Sequence, residues 1–473
     1  VTLEVILLYE VPTATIRTKL ASFIRENGMT AQRFAIIAGI NPGTISAILK
    51  QNRPISMSQL EHLEMGMELA AGTLFELYIQ ECFVDHTPHW RRLRPFLIRC
   101  AELGKLACIR QTTHKLLENV TYLPLVFELA EELDAAGKTK ASGLLYESVA
   151  ESEKYQHSER LAICHYKLFR IAIGKNMDLN LRAAIRFEPF QENLPDHLRL
   201  DGLLQLANVY YALRSWEKME YYADELRMLS EVICQERKRS RKKTALPVLA
   251  ERPLVVYYGQ GYLLKSAALE HQQRYDEALH YIDAYSELGS FEELDEVGQR
   301  EVAKFRLFAK ANRFNIMLLS GNFSTLVDYA ELLKAHPHEI LPSTVVILRA
   351  ANKHGRSIDA FLGQWVDNIC IHHGDVTYYQ ETNYLSRYAE FCYQYALYQL
   401  RRERKVGLSS ILQSLDINIQ LGMKGKILDN ICLFREYKHW ASTEQHAAFE
   451  RLLKEVSKDE ESHTLVGISC LPK

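Results

Sequence analysis

A chain of 473 residues, 47% apolar and 25% charged, is long enough for a small domain beside a large one, and its make-up is that of a globular protein. A net charge of −2 excludes a polycation that would coat nucleic acid along its whole length. No apolar run reaches membrane-spanning length, and nine cysteines scattered singly, with no paired spacing, point to a reducing, cytoplasmic setting with buried thiols.

Residues 1–15 open with VTLEVILLYE, whose short apolar core lacks a basic leader, so an arm or short strand is expected rather than a signal peptide. A small bundle is expected over 16–70, with flanking helices over 16–27 and 57–69. At its centre, residues 30–52 (TAQRFAIIAGINPGTISAILKQN) read as two short helices about a tight corner. Phe34, Ala35 and Ile36 lie on the first helix, and Gly39 supplies a corner that needs positive φ. Asn41 as N-cap and Pro42 as first helical residue restart the chain. Ile45, Ile48 and Leu49 give the second helix an apolar face.

Ala35, Gly39, Ile45 and Ile48 keep the spacing of a helix-turn-helix, whose second helix turns its other face towards a DNA major groove. On that face Thr44, Ser46, Ala47 and Lys50 are placed at base edges. Asn41 and Gly43 sit at the helix start, where backbone N–H groups can meet phosphate. Gln32, Arg33, Asn52 and Arg53 flank the groove as backbone contacts; the alternative for each polar residue is a solvated surface. Charge agrees with the first reading. Between residues 16 and 56, Arg17, Lys19, Arg25, Arg33, Lys50 and Arg53 face one acid, Glu26, and phosphate contact needs such a local positive field. The pattern resembles the repressor-like (Xre/Cro type) DNA-binding domain over residues 16–70.

Residues 71–92 are read as a linker helix, with the domain boundary where VDHTPHW breaks the periodicity at 84–90. From 93 to 456 the pattern is helical, with helices expected over 93–102, 123–136, 142–153, 159–174, 198–213 and 216–232. The class is therefore all-α. A layout recurs around Trp216, Tyr275 and Phe323: each aromatic follows a short turn. Apolar residues stand three, seven and ten positions later (Met219, Ala223, Leu226; Ala278, Ile282, Tyr285; Leu326, Ala330, Leu333). RYDEALHYI (274–282) resembles the second helix of a tetratricopeptide repeat, and LANVYYAL (206–213) the first. Such pairs cannot bury their apolar faces alone and stack into a curved, right-handed solenoid. The aromatics lie 59 and then 48 residues apart, so the repeats are degenerate, with roughly nine to eleven pairs at most.

Between repeats, residues 237–243 carry six basic side chains, read either as a second nucleic-acid contact or as a solvated loop. Residues 378–402, rich in Tyr, read as a long packed helix, and 457–473 as a last helix end with a loose tail. No phosphate loop, metal-ligand spacing or acid–base constellation stands out, so neither an enzyme, a cofactor nor a metal is expected. His336 and His338, and His372 and His373 close to Cys370, are read as surface histidines.

This order of parts resembles the RRNPP-type peptide-sensing regulators of Gram-positive bacteria and their phages, arbitrium receptors included. The resemblance implies a cytoplasmic homodimer that binds a double-stranded operator and takes a short signalling peptide on the inner surface of its solenoid. It also implies roles for asparagines there. Asn208 and Asn315 each stand eight residues before the aromatic of their repeat, Asn312 shares a side with Asn315, and Tyr211 shares a side with Asn208. An amide offers donor and acceptor to a peptide backbone. The middle repeat has Ala267 at the equivalent place. Two other readings stay open: a ligand-independent transcription factor, and a helical protein-interaction scaffold.

Overall fold

The structure, a computed structural model, describes residues 15–50, 53–83, 88–155, 158–174, 176–239, 250–291, 294–369 and 378–468. Among them the chain is all-α, as its periodicity predicts, with no strand. It parts into two compact units, residues 1–171 and 172–473.

The first unit begins with α1 (Ile16–Glu26), α2 (Ala31–Ala38), α3 (Pro42–Leu49), α4 (Met57–Gly66) and α5 (Phe75–Phe83). It continues through α6 (Trp90–Glu102), α7 (Leu106–Leu116), α8 (Leu123–Ala135), α9 (Thr139–Ser152) and α10 (Glu159–Ala172). Local chemistry sets the early boundaries. Thr15 and Ser56 close capping boxes on α1 and α4, and the Thr30 side chain caps α2. Gly39 ends α2 at φ 65°, and the Ile40 N–H reaches back to the Ala35 carbonyl at 2.9 Å. Asn41 and Pro42 restart the chain as N-cap and first helical residue. Helices α2 and α4 approach closely because Gly66 has no side chain: a Cβ there would stand 2.7 Å from that of Ala38.

The break expected at 84–90 falls inside this unit, although residues 84–87 lie outside the described ones. The Phe96 ring of α6 packs on Phe75 and Tyr78 of α5 at centroid distances of 5.0 and 5.1 Å. The expected linker helix is thus packed core.

The second unit holds α11 (Met177–Phe187), α12 (Asp196–Ala212), α13 (Trp216–Arg239), α14 (Leu254–His271), α15 (Tyr275–Ser286) and α16 (Glu296–Leu319). There follow α17 (Leu326–Ala335), α18 (Ile340–His354), α19 (Asp359–Ile369), α20 (Tyr378–Leu400), α21 (Gly407–Gln420), α22 (Lys424–Tyr437) and α23 (Thr443–Ile468). From α11 to α17 and from α20 to α22 consecutive helices pack on each other, and α12, α14, α16 and α18 each pack on the helix two further on, so helical pairs stack in layers. Helix α23 runs into the segment expected to be a loose tail. Of the basic stretch, 237–239 end α13 and 240–243 lie outside the described residues.

One turn recurs. Arg214, Gln273, Gly321 and Gly422 have positive φ, and so do Gly104 and Gly137 of the first unit. After each, the next residue donates to the carbonyl five positions back, at 2.8–2.9 Å (Ser215 to Tyr210, Arg274 to Leu269, Asn322 to Met317, Met423 to Asn418, Lys105 to Cys100, Lys138 to Leu133). The chain then turns directly into the next helix, or at Phe323 into a 3₁₀ turn. Trp216 and Tyr275 therefore head α13 and α15, with Met219, Ala223 and Leu226, and Ala278, Ile282 and Tyr285, buried behind them. The third repeat departs from this pattern. The 3₁₀ turn Phe323–Thr325 rotates each residue by about 120° instead of about 100°. The stripe shifts accordingly: Tyr329 and Leu333 are buried, while Leu326 and Ala330 are only partly so.

Candidate nucleic-acid interface and the inner residues of the second unit

Helix α3 is seated by Ile45 and Ile48, both fully buried, over Phe34 and Ala35 of α2. Its outward residues are Ser46 and Lys50, exposed, with Thr44 and Ala47 half-buried beside them. Gln32 and Arg33 on α2, and Arg53 beyond α3, are exposed as well; Asn52 lies outside the described residues. The start of α3 carries the expected cap, and that cap uses up N–H groups expected to meet phosphate. The Asn41 side chain accepts from the Gly43 N–H at 2.8 Å, and the Asn41 carbonyl accepts from Thr44 and Ile45 at 2.9 and 3.2 Å. Pro42 has no N–H. The first N–H groups of α3 are therefore taken up by its own cap, and Asn41 and Gly43 are cap residues before they are phosphate ligands.

Arg17, expected among the residues that supply the positive field, does not supply it: it is 5% exposed and forms a salt bridge with Glu81 of α5. Its Nη2 also reaches the second Glu81 oxygen at 2.8 Å, and its Nε donates to the Ile48 carbonyl at 3.0 Å. Glu81 in turn accepts from the Ile55 N–H, and the Tyr78 hydroxyl donates to the Ile55 carbonyl at 2.9 Å. Arg17 thus fastens the end of α3 to α5. The exposed cations left in this segment are Lys19, Arg25, Arg33, Lys50 and Arg53. Sequence reasoning also missed that Ile36 and Ile37 are 75% and 53% exposed, beside Gln32 and Arg33. The signal was available: an eight-residue helix that buries positions 34, 35 and 38 turns 36 and 37 outward.

In the second unit, Asn208 and Tyr211 of α12 are exposed. Asn312 and Asn315 are not available in the same way. Asn315 is 7% exposed; its Nδ2 donates to the Asn312 Oδ1 at 3.3 Å, and its Oδ1 accepts from the Tyr329 hydroxyl at 2.9 Å. The Asn312 Nδ2 donates to the Tyr285 hydroxyl at 2.9 Å. The two amides bond to each other along α16, and their other ends reach Tyr285 of α15 and Tyr329 of α17, so both ends of each are already in use.

Tyr211 instead belongs to a cluster that local patterning did not reveal. Its ring meets Trp216 edge-on, and Trp216 stacks flat on His271 at 3.8 Å and 2°. The same interleaving of an aromatic with a basic residue recurs between Tyr275 and Lys353, and between Phe323 and His354. Burial, with Arg349 and Arg214 close by, holds the His271 imidazole well below its ordinary pKa and therefore neutral. Arg349 donates towards His271 Nδ1 at 3.2 Å and pairs with Glu270. Glu390 of α20 pairs with Arg214 at 2.7 Å and with Lys426 of α22. Burial alone would raise its carboxyl, but Lys426 and Arg214 outweigh it and bring the pKa down to about 2.

Among the described residues no group of three or more His, Cys, Asp or Glu is arranged to hold a metal ion. Cys370, His372 and His373 lie outside those residues. No described helix is long and apolar enough to cross a membrane. No family model, curated protein or solved structure matches the chain.

Proposed function

We propose that this chain is a sequence-specific DNA-binding transcriptional regulator, read through α3, whose second unit takes a short signalling peptide that controls DNA binding. The observation that carries the first half is the pair α2–α3. A left-handed Gly39 corner, two buried isoleucines beneath and Ser46 and Lys50 outward form a helix pair of the shape and polarity that a major groove accepts. Arg33 and Arg53, both exposed, are the candidate phosphate contacts beside it. The second half rests on the stacked helical pairs, which suit a right-handed solenoid, and on the RRNPP resemblance. Asn208 and Tyr211 are its remaining candidate contacts. A cytoplasmic homodimer reading paired half-sites belongs to the same proposal.

The test is selection of bound duplexes from a randomised DNA pool by the full chain, followed by anisotropy titration of the enriched sequence with the wild type and Lys50→Ala. Enrichment of a motif that Lys50→Ala no longer prefers supports the reading; a pool that stays random after several rounds refutes it. A second reading is favoured by Asn312 and Asn315, whose amides are occupied internally. In it the repeats only dimerise or hold a protein partner, and no short peptide shifts the melting temperature of the chain.

A further inference from the structure

We propose that the first and last helical layers of the second unit are held together by an electrostatic clasp that opens as a gate, independently of what the inner face binds. Three contacts carry this. Lys424, the first residue of α22, reaches Asp178 of α11 at 2.9 Å, across 246 residues of chain. Beside it, Gly422 lies next to Asn176, the N-cap of α11. Arg214, in the turn between α12 and α13, reaches Glu390 of α20 at 2.7 Å, 176 residues away. Glu390 is shared: Lys426 holds it from α22, and the Gln394 Nε2 donates to it at 3.0 Å.

The chemistry of this seam differs from that inside the layers. Within the pairs, α12 to α16 are joined by a continuous run of buried apolar side chains such as Leu206, Tyr210, Leu226, Leu269 and Ile282, to which the pairs of Lys265 with Glu220 and Asp224 are added. Among the described residues, the bonds from α11–α13 to α20–α22 named above, Lys424–Asp178 and Arg214–Glu390, are charge pairs. An apolar seam that opened would expose oil to water, whereas separated charges regain hydration, so a charged seam opens at small cost. Its strength is graded. Lys424 and Asp178 are 66% and 43% exposed and are screened by salt, whereas Glu390 and Lys426 are each 13% exposed and are screened little. Arg214 sits between, 43% exposed. Tyr211 and the Trp216–His271 stack lie just behind Arg214, and His271 also feels Glu390 and Lys426, so the gate and this inner cluster are one neighbourhood.

The test uses the full chain with R214Q and K424Q combined. Both side chains are well exposed, and Glu390 keeps Lys426, so no buried charge is stranded. Hydrogen–deuterium exchange should quicken by about tenfold or more at the amides of α11 and the α21–α22 turn, with amides of α14 and α15 unchanged. Small-angle scattering should show a larger radius of gyration. Unchanged exchange and scattering would overturn the clasp, as would a uniform quickening across the unit, which means general destabilisation. If circular dichroism shows the double variant unfolded, the wild type decides. Raising sodium chloride from about 0.05 to about 0.5 M should quicken exchange at the same seam amides. Seam amides indifferent to salt would overturn the proposal.

Discussion

Arg17 and Glu81 form a buried ion pair between α1 and α5, and Arg17 at the same time holds the last turn of α3 through the Ile48 carbonyl. The pair therefore governs where α3 sits, not what charge it shows. Both side chains are at most 5% exposed, so removing Arg17 takes its two-pronged guanidinium partner from a buried carboxylate. Arg17→Ala should cost about 3–5 kcal/mol of stability. Urea unfolding followed by tryptophan fluorescence and far-ultraviolet dichroism checks this; a midpoint unchanged within error contradicts it.

Lys50 is the one cation on the outward face of α3, with Ser46 beside it. Lys50→Ala should weaken binding to the selected duplex by about 1–3 kcal/mol while leaving the melting temperature in place, because the side chain is exposed. Arg53→Ala should weaken all duplexes alike and lower the salt slope by about one. Anisotropy titrations over a salt series separate the two. Equal losses on selected and random DNA for Lys50→Ala would remove it from base readout.

How far these features were legible follows from their range along the chain. Gly39, Asn41, Pro42, Ile45 and Ile48 act within a few residues of each other, and all stand as the sequence predicts. The helix starts at Trp216 and Tyr275 were equally local. The left-handed residues before them are Arg214 and Gln273 rather than glycine, so the commonest turn signal was missing there. At Phe323 a short 3₁₀ turn shifts burial from Leu326 and Ala330 to Tyr329 while Leu333 stays buried, a rotation that spacing alone does not encode. Arg17 counts in the sequence towards the local positive field because its partner lies 64 residues on. Asn315 looked like a groove residue because Tyr329, which occupies it, belongs to the shifted repeat.

Asn315 and Asn208 should now behave differently. Asn315→Ala removes one of two partners of the buried Tyr329 hydroxyl, which keeps Ser343, and should cost about 1 kcal/mol of stability. Asn208→Ala removes an exposed side chain and should stay within about 0.5 kcal/mol. Thermal and urea unfolding of both variants checks this. Equal, small effects would mean that the Asn315–Tyr329 bond carries no weight. Any peptide-affinity loss in Asn315→Ala has to be read against its stability.

The last prediction concerns acid. His271 is stacked on Trp216 and faces Arg349 and Arg214, with Lys426 further on; Glu390 and its neighbour Glu270 are the opposing charges. Burial and the arginines depress its pKa below the ordinary 6.5, so the folded chain holds it neutral while the unfolded chain protonates it first. The stability it contributes is thus complete above pH 6.5 and falls as the pH drops below that value. Glu390 has the same sign at lower pH. Its folded pKa of about 2 lies below the ordinary 4.5, so its contribution is complete above 4.5 and is lost between there and about 2. Acid should therefore loosen the second unit in two stages. His271→Gln, which cannot charge, should flatten the first stage and leave the second; Glu390→Gln should lower stability at neutral pH and flatten the second. Melting temperatures of the three proteins from pH 8 to pH 3 measure both stages, and parallel curves for wild type and His271→Gln between pH 6.5 and 4.5 would take the imidazole out of the account.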